Sequence, residues 1–179
     1  GAHEQPTADP TTKAEYYESV EKGLRGLDQQ QQKIGMRIPP GPQQIRGIAG
    51  SGKTVLVAMK AARIAADPVY SDWDVALTFS TKSLYNHITA LVARFYRQFT
   101  GEPFDEDESN LEIIHGWGGE TTGDGLYWRV AQATPGVEPL SFGDAKRKFG
   151  YNPNMQDRVA KEVLETGGIP DLWDAILID

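Results

Sequence analysis

The sequence predicts an α/β domain built around a parallel sheet, and three observations carry that prediction. Apolar strand-like runs alternate with helix-forming runs along the chain. A glycine-rich segment, Gly47 to Thr54 (GIAGSGKT), stands at the first strand-to-helix turn and has the form G-x-x-x-x-G-K-[ST]. The last apolar run, Leu172 to Asp179 (LWDAILID), closes on a carboxylate.

The elements follow in order. Residues 1–12 are polar with two prolines and read as a disordered tail; Gly1 in place of Met suggests a cleavage scar. From Lys13 to Leu27, Tyr16, Tyr17, Val20, Leu24 and Leu27 fall at helical spacing, so a helix over 13–27 precedes the main domain, residues 28–179. Asp28 is placed to cap a second helix over the glutamine run, which stops before Pro39-Pro40-Gly41-Pro42. Gln43 to Arg46 enters the glycine-rich turn as a strand, and Val55 to Ala66 leaves it as a helix. Asp74 to Ser80 (DVALTFS) reads as a buried parallel strand. Leu84, Ile88, Leu91, Val92, Phe95 and Phe99 then form the apolar stripe of a long helix closed by Gly101. Leu111 to His115 is the next strand. Residues 120–154 show no clear periodicity and are expected to be an insertion. Met155 to Thr166 is a helix ended by Gly167-Gly168, and Ala175 to Ile178 is the last strand.

Composition limits the function classes. The 179 residues are 39% apolar and 24% charged, as in a globular protein with a real core. No apolar run approaches the ~20 residues of a membrane span, and no signal peptide is apparent, so no membrane partner is expected. Cysteine is absent, which excludes disulfides and thiol catalysis and fits a reducing cytoplasm. A net charge of −7 argues against a generally basic nucleic-acid coat but allows a locally basic groove.

The glycine-rich segment carries the chemistry. Gly47, Gly50 and Gly52 let the backbone turn sharply, so that N–H groups of the segment from Gly47 through Ala49, Gly50, Ser51 and Gly52 converge on a phosphate. Lys53 supplies charge for β- and γ-phosphates, and the Thr54 hydroxyl can ligate Mg²⁺. The following helix adds its positive N-terminal dipole. The expected ligand is a nucleoside triphosphate. Asp179, at a strand end, is placed to hold the Mg²⁺, usually through water in such sites.

Three further stretches complete an ordered set. Leu27-Asp28-Gln29-Gln30-Gln31 resembles the adenine-reading L-x-x-x-Q segment of UvrD/Rep-type helicases of superfamily 1. Thr78-Phe79-Ser80-Thr81-Lys82 is similar to their TFTNK-type segment, and Ile114-His115-Gly116-Trp117 to the segment around TFHS; both contact single-stranded DNA in that family. With GIAGSGKT and LWDAILID, five motifs run in the family's order over residues 27–179. The resemblance implies a three-layer RecA-like domain of P-loop NTPase type that binds ATP and Mg²⁺. It implies that Gln31 reads the adenine edge, with Gln32 one residue out of register as a rival. It also implies that Phe79 stacks on a base and that Thr81, Lys82 and His115 line the DNA. Ser80-Thr81 stands where the family has Thr-Asn, and Gly116 where it has Ser.

In that family ATP lies between two RecA-like domains, and the second brings arginines to the phosphoryl group. That domain, those arginines and the glutamate that follows the strand aspartate are not among the 179 residues. The resemblance thus implies an ATPase motor as parent protein, with Lys53 and Asp179 as its catalytic residues here and weak turnover by this stretch alone. Two other readings stand beside it. A small P-loop kinase would need a basic lid, for which Lys146-Arg147-Lys148 is the one candidate, while a GTPase would need an N-K-x-D segment, and none is present. A non-catalytic nucleotide-binding module acting through partners is the third. His87, the acidic run Asp105-Glu106-Asp107-Glu108, and Arg46 are read as surface features, with Arg46 paired to an acidic neighbour. Trp117, Tyr127 and Trp128 could stack on DNA, and core packing is the reading preferred for them.

Overall fold

The computed structural model describes residues 18, 29–46, 52–118 and 124–179. Of the first expected helix only Glu18 is described, and it is helical; the rest of 1–28 lies outside the described residues.

Among the described residues the elements are α1 (Gln29–Met36), α2 (Lys53–Ala66), a 3₁₀ turn (Pro68–Tyr70), β1 (Val75–Phe79), α3 (Leu84–Thr100) and β2 (Leu111–His115). Then follow α4 (Leu126–Ala133), α5 (Phe142–Phe149), α6 (Met155–Thr166) and β3 (Ala175–Ile178). The sheet is parallel and three-stranded with β1 in the centre, flanked by β2 and β3. Its register sets Phe79 beside His115 and Thr78 beside Ile178.

Alternation along the strands explains the packing. Val75, Leu77 and Phe79 of β1 and Leu111 and Ile113 of β2 join one core with α2 and α3. The expected stripe on α3 holds: Ile88, Leu91, Val92 and Phe95 are buried, and Leu84 and Phe99 pack at its ends. Ala76, Thr78 and Ile114 point to the opposite face and are also buried. That face carries Glu112, whose carboxylate accepts from Arg129 of α4 at 2.5 Å and from the Trp173 indole. Helices against both faces make an arrangement compatible with three layers. At β3 the second face is bare, with Ile176 and Ile178 exposed.

One expected element does not form. Residues 42–46 form no strand. They offer one half-buried apolar side chain, Ile45, and a parallel strand needs burial on both faces to repay its ordering; among the described residues Arg46 bonds Gln44. Residues 120–154, expected to be an insertion, contain α4 and α5. Trp117, Ala145, Met155 and Val159 form a second small core with Tyr127, Leu140 and Phe149, and buried Trp128 also confirms the packing reading.

Candidate functional site

Parallel strands present their C-terminal ends on one edge, where ligands gather in open α/β sheets. Here that edge collects Ser80 after β1, His115 at the end of β2, and Asp179 after β3. The start of α2 faces it. Gly52 stands at the helix N-cap with φ of 81°, a left-handed conformation that glycine adopts without strain. Its carbonyl begins the helix by accepting from Leu56 N–H at 3.0 Å. Gly47, Ala49, Gly50 and Ser51 lie outside the described residues.

Thr54, on the first turn of α2, donates its hydroxyl to the Asp179 carboxylate, with oxygens 2.9 and 3.0 Å away. Asp179 is held in turn by the sheet register, its N–H donating to the Thr78 carbonyl at 3.0 Å. Lys53 precedes Thr54 and is half-buried. The glycine-rich segment and the last apolar run of the sequence therefore meet. Gln31 is half-buried on the first turn of α1, while Gln32 is exposed. That helix packs on α2 so closely that a Cβ on Gly35 would lie 2.6 Å from the Met59 sulfur.

The residues expected to meet DNA lie at the ends of β1 and β2 and in the turn after β1. Thr81 and Lys82 are exposed in the turn between β1 and α3, where their carbonyls accept from Leu84 and Tyr85. Phe79 is 3% exposed, its ring set against Tyr85 and His115 at 6.1 and 5.8 Å. In this arrangement the strand's alternation turns the ring into the core, among the residues of α2 and α3. Tyr85, 40% exposed, is the accessible ring beside it. The Tyr85 hydroxyl donates to Glu106 at 3.2 Å; burial, then the Glu106 charge, pushes the phenol above its ordinary pKa. Glu106 also takes the Ile113 N–H at 2.7 Å, so this member of the acidic run caps the outer edge of β2 instead of merely facing water.

His115 works as a strut. Its Nδ1 accepts from Trp117 N–H at 3.1 Å and Gly118 N–H at 3.2 Å, which leaves Nε2–H to donate to the Ser80 carbonyl at 2.9 Å. It ties the end of β1 to the turn after β2. Gly116 fits between them: a Cβ there would stand 3.3 Å from the Phe79 carbonyl oxygen, a tight contact.

Lys60 is a residue that sequence reading passed over. It lies within the apolar face of α2, is 8% exposed, and donates to the Ile34 carbonyl at 3.0 Å and to that of Arg37. Burial lowers its pKa from the usual lysine value. Its signal was a lysine enclosed by apolar residues in the run VLVAMKAA, next to a helix whose last carbonyls need donors.

Comparison with known proteins adds no relative: protein-family models, curated proteins and solved structures give no match to this chain. Among the described residues no helix is long and apolar enough to cross a membrane.

Proposed function

We propose that this chain binds ATP with Mg²⁺ at the C-terminal edge of its sheet, as the N-terminal motor domain of a UvrD/Rep-like superfamily 1 DNA helicase. The observation that supports the reading most is the Thr54–Asp179 contact, since a hydroxyl at the helix start and a carboxylate at a strand end are what a P-loop site needs side by side. The residues fit the cation. Mg²⁺ takes oxygen ligands in an octahedron at about 2.0–2.1 Å and uses few from the protein, with water and phosphate completing the set. Among the described residues no cluster of three or more acidic or imidazole side chains competes for a metal. Thr54, by giving its proton to Asp179, keeps its oxygen lone pairs for a cation, and Asp179 supplies the negative charge. Bound there, Mg²⁺ would offset charge on the β- and γ-phosphate oxygens.

Lys53 holds the same phosphates, the dipole of α2 favours the anion, and Gln31 reads the base from α1. Single-stranded DNA runs past Thr81, Lys82 and the His115 turn. Coupling to a second RecA-like domain turns closure of the cleft into movement along DNA. Calorimetric titration with Mg²⁺-ATP tests the nucleotide part. Lys53→Ala should cost at least about tenfold in affinity, the value of a charged contact, and Gln31→Ala should narrow the preference for ATP over GTP. Unchanged ATP binding by Lys53→Ala removes the phosphate loop from the argument.

A further inference from the structure

Away from the nucleotide edge, one surface combines exposed rings with positive charge. Phe142 opens α5 and is 46% exposed, and Tyr151, just past its end, is 75% exposed. Their ring centroids lie 6.3 Å apart at 69°. Phe142 also stands edge-on to buried Trp117, at 5.7 Å. The Trp117 indole donates to the Leu140 carbonyl at 3.2 Å, so the row of rings is rooted in the small core and leads back to the His115 turn. Lys146, Arg147 and Lys148 end the helix. Arg147 pairs with Asp144, and Lys148 with Glu162 at 2.7 Å. Lys146 makes no ion pair among the described residues; its ammonium stands 5.1 Å from the Tyr151 ring centroid. Residues 142–158 hold four basic and two acidic side chains in a chain of net charge −7.

We propose that Phe142, Tyr151 and Lys146 form a stacking platform for single-stranded nucleic acid. The proposal rests on the DNA reading of the β1 and β2 turns and extends that path onto α5. A ring three-quarters open to water gains little from the fold, whereas any base offers it a π-face. A cation beside the ring meets the phosphate that accompanies the base. The combination also suits an anionic membrane surface, but α5 has eight residues, and the turn after it carries Asn152 and Asn154. That leaves too little contiguous apolar area for an interfacial helix.

Fluorescence anisotropy of labelled oligo-dT with the whole 179-residue chain at low salt is the test. Tyr151→Ala should weaken binding about five-fold or more with the salt slope unchanged, and Tyr151→Phe should restore it. Lys146→Gln should flatten the slope by about 0.7. Thermal unfolding of Tyr151→Ala should match the parent, since the ring is outside the core. If Lys82→Ala loses affinity while Tyr151→Ala does not, the platform is wrong and the DNA path through the β1 turn survives. Absence of oligo-dT binding at low salt overturns both. Tyr151-dependent binding to phosphatidylserine vesicles, with none to oligo-dT, replaces nucleic acid by membrane.

Discussion

Thr54 and Asp179 are joined by hydrogen bonds of 2.9 and 3.0 Å across 125 residues of chain. The pair latches the start of α2 to the end of β3. If the pair acts as one unit toward a cation, Asp179→Asn should bring ATP affinity in Mg²⁺ down to the value without Mg²⁺, leaving Mg²⁺-free binding unchanged. Thr54→Ala should do the same, and the double variant should lose little more, as partners in one contact are not additive. Calorimetry with and without Mg²⁺ measures all four species. Full additivity of the two losses would show that the contact is incidental.

Phe79 and Tyr85 should separate stability from binding. Phe79 is inside the core, and emptying its site creates a cavity, so Phe79→Ala should cost about 3–5 kcal/mol in urea unfolding. Tyr85→Ala should cost much less, because the ring is 40% exposed, and should instead weaken oligo-dT. A Phe79→Ala protein of undiminished stability with lost DNA affinity would return the stacking role to Phe79.

Much of this arrangement was legible in the chain, for physical reasons that can be named. The strands β2 and β3 and helix α6 coincide with the runs Leu111–His115, Ala175–Ile178 and Met155–Thr166, because the two strands are short, mainly apolar runs and α6 ends on a glycine pair. The stripe on α3 is long enough to set its own period. By contrast α4 and α5 last about two turns each and bury two residues and one residue, too few to show periodicity. One signal for α5 was present: Ser141 precedes Asp144 by three, and the Ser141 hydroxyl does accept from Asp144 N–H at 3.1 Å. Four residues before the glycine-rich turn were read as a strand from the motif's usual setting, not from their own apolar content, and that expectation failed. In the site, Asp179 and Thr54 were legible because the motif fixes their residue types. The burial of Phe79 and the service of Lys60 depend on neighbours distant in sequence.

Lys60 makes a pH prediction. Its folded pKa lies below the ordinary 10.5 because of burial. In the window just below 10.5 the unfolded chain therefore binds more protons than the folded one, and stability contributed by this group rises with pH there. Below the folded pKa the contribution is flat. Lys60→Met should be less stable than the parent at neutral pH by about 1–3 kcal/mol, since the Ile34 and Arg37 carbonyls lose their donor. The gap should widen as pH rises toward about 10. Urea unfolding of both proteins across that range is the check, and a gap that closes with rising pH contradicts the assignment.

Gly118 and Gly125 make a prediction about the turn that His115 supports. A Cβ on Gly125 would lie 2.1 Å from the Gly118 Cα, with φ at 149°. Both objections are to backbone, which cannot swing aside as a side chain can. Gly125→Ala should lower the thermal midpoint sharply and loosen α4, which begins at the next residue. Hydrogen exchange at Tyr127 and Trp128, whose amides bond the Gly116 and Trp117 carbonyls at 2.9 and 3.0 Å, reads the effect locally. Unchanged protection at those two amides would mean that the neck between the glycines has room the geometry denies.

The last prediction concerns turnover. Hydrolysis of a γ-phosphate needs a group to orient the attacking water and positive charge to stabilise the phosphoryl group in flight, and arginine fingers contribute about 10³–10⁵-fold in related enzymes. Lys53, Thr54 and Asp179 hold substrate and metal in the proposed site but do neither task. In the helicases that this sequence resembles, a glutamate after the strand aspartate and arginines from a second RecA-like domain do both. A protein of residues 1–179 should thus bind Mg²⁺-ATP yet hydrolyse it near the background rate, without stimulation by oligo-dT. Phosphate release assays on repurified protein, beside Lys53→Ala, give the measurement. DNA-stimulated hydrolysis that Lys53→Ala abolishes would mean that the water-orienting group lies within these residues, and the helicase reading would have to yield to a P-loop enzyme that completes its own site.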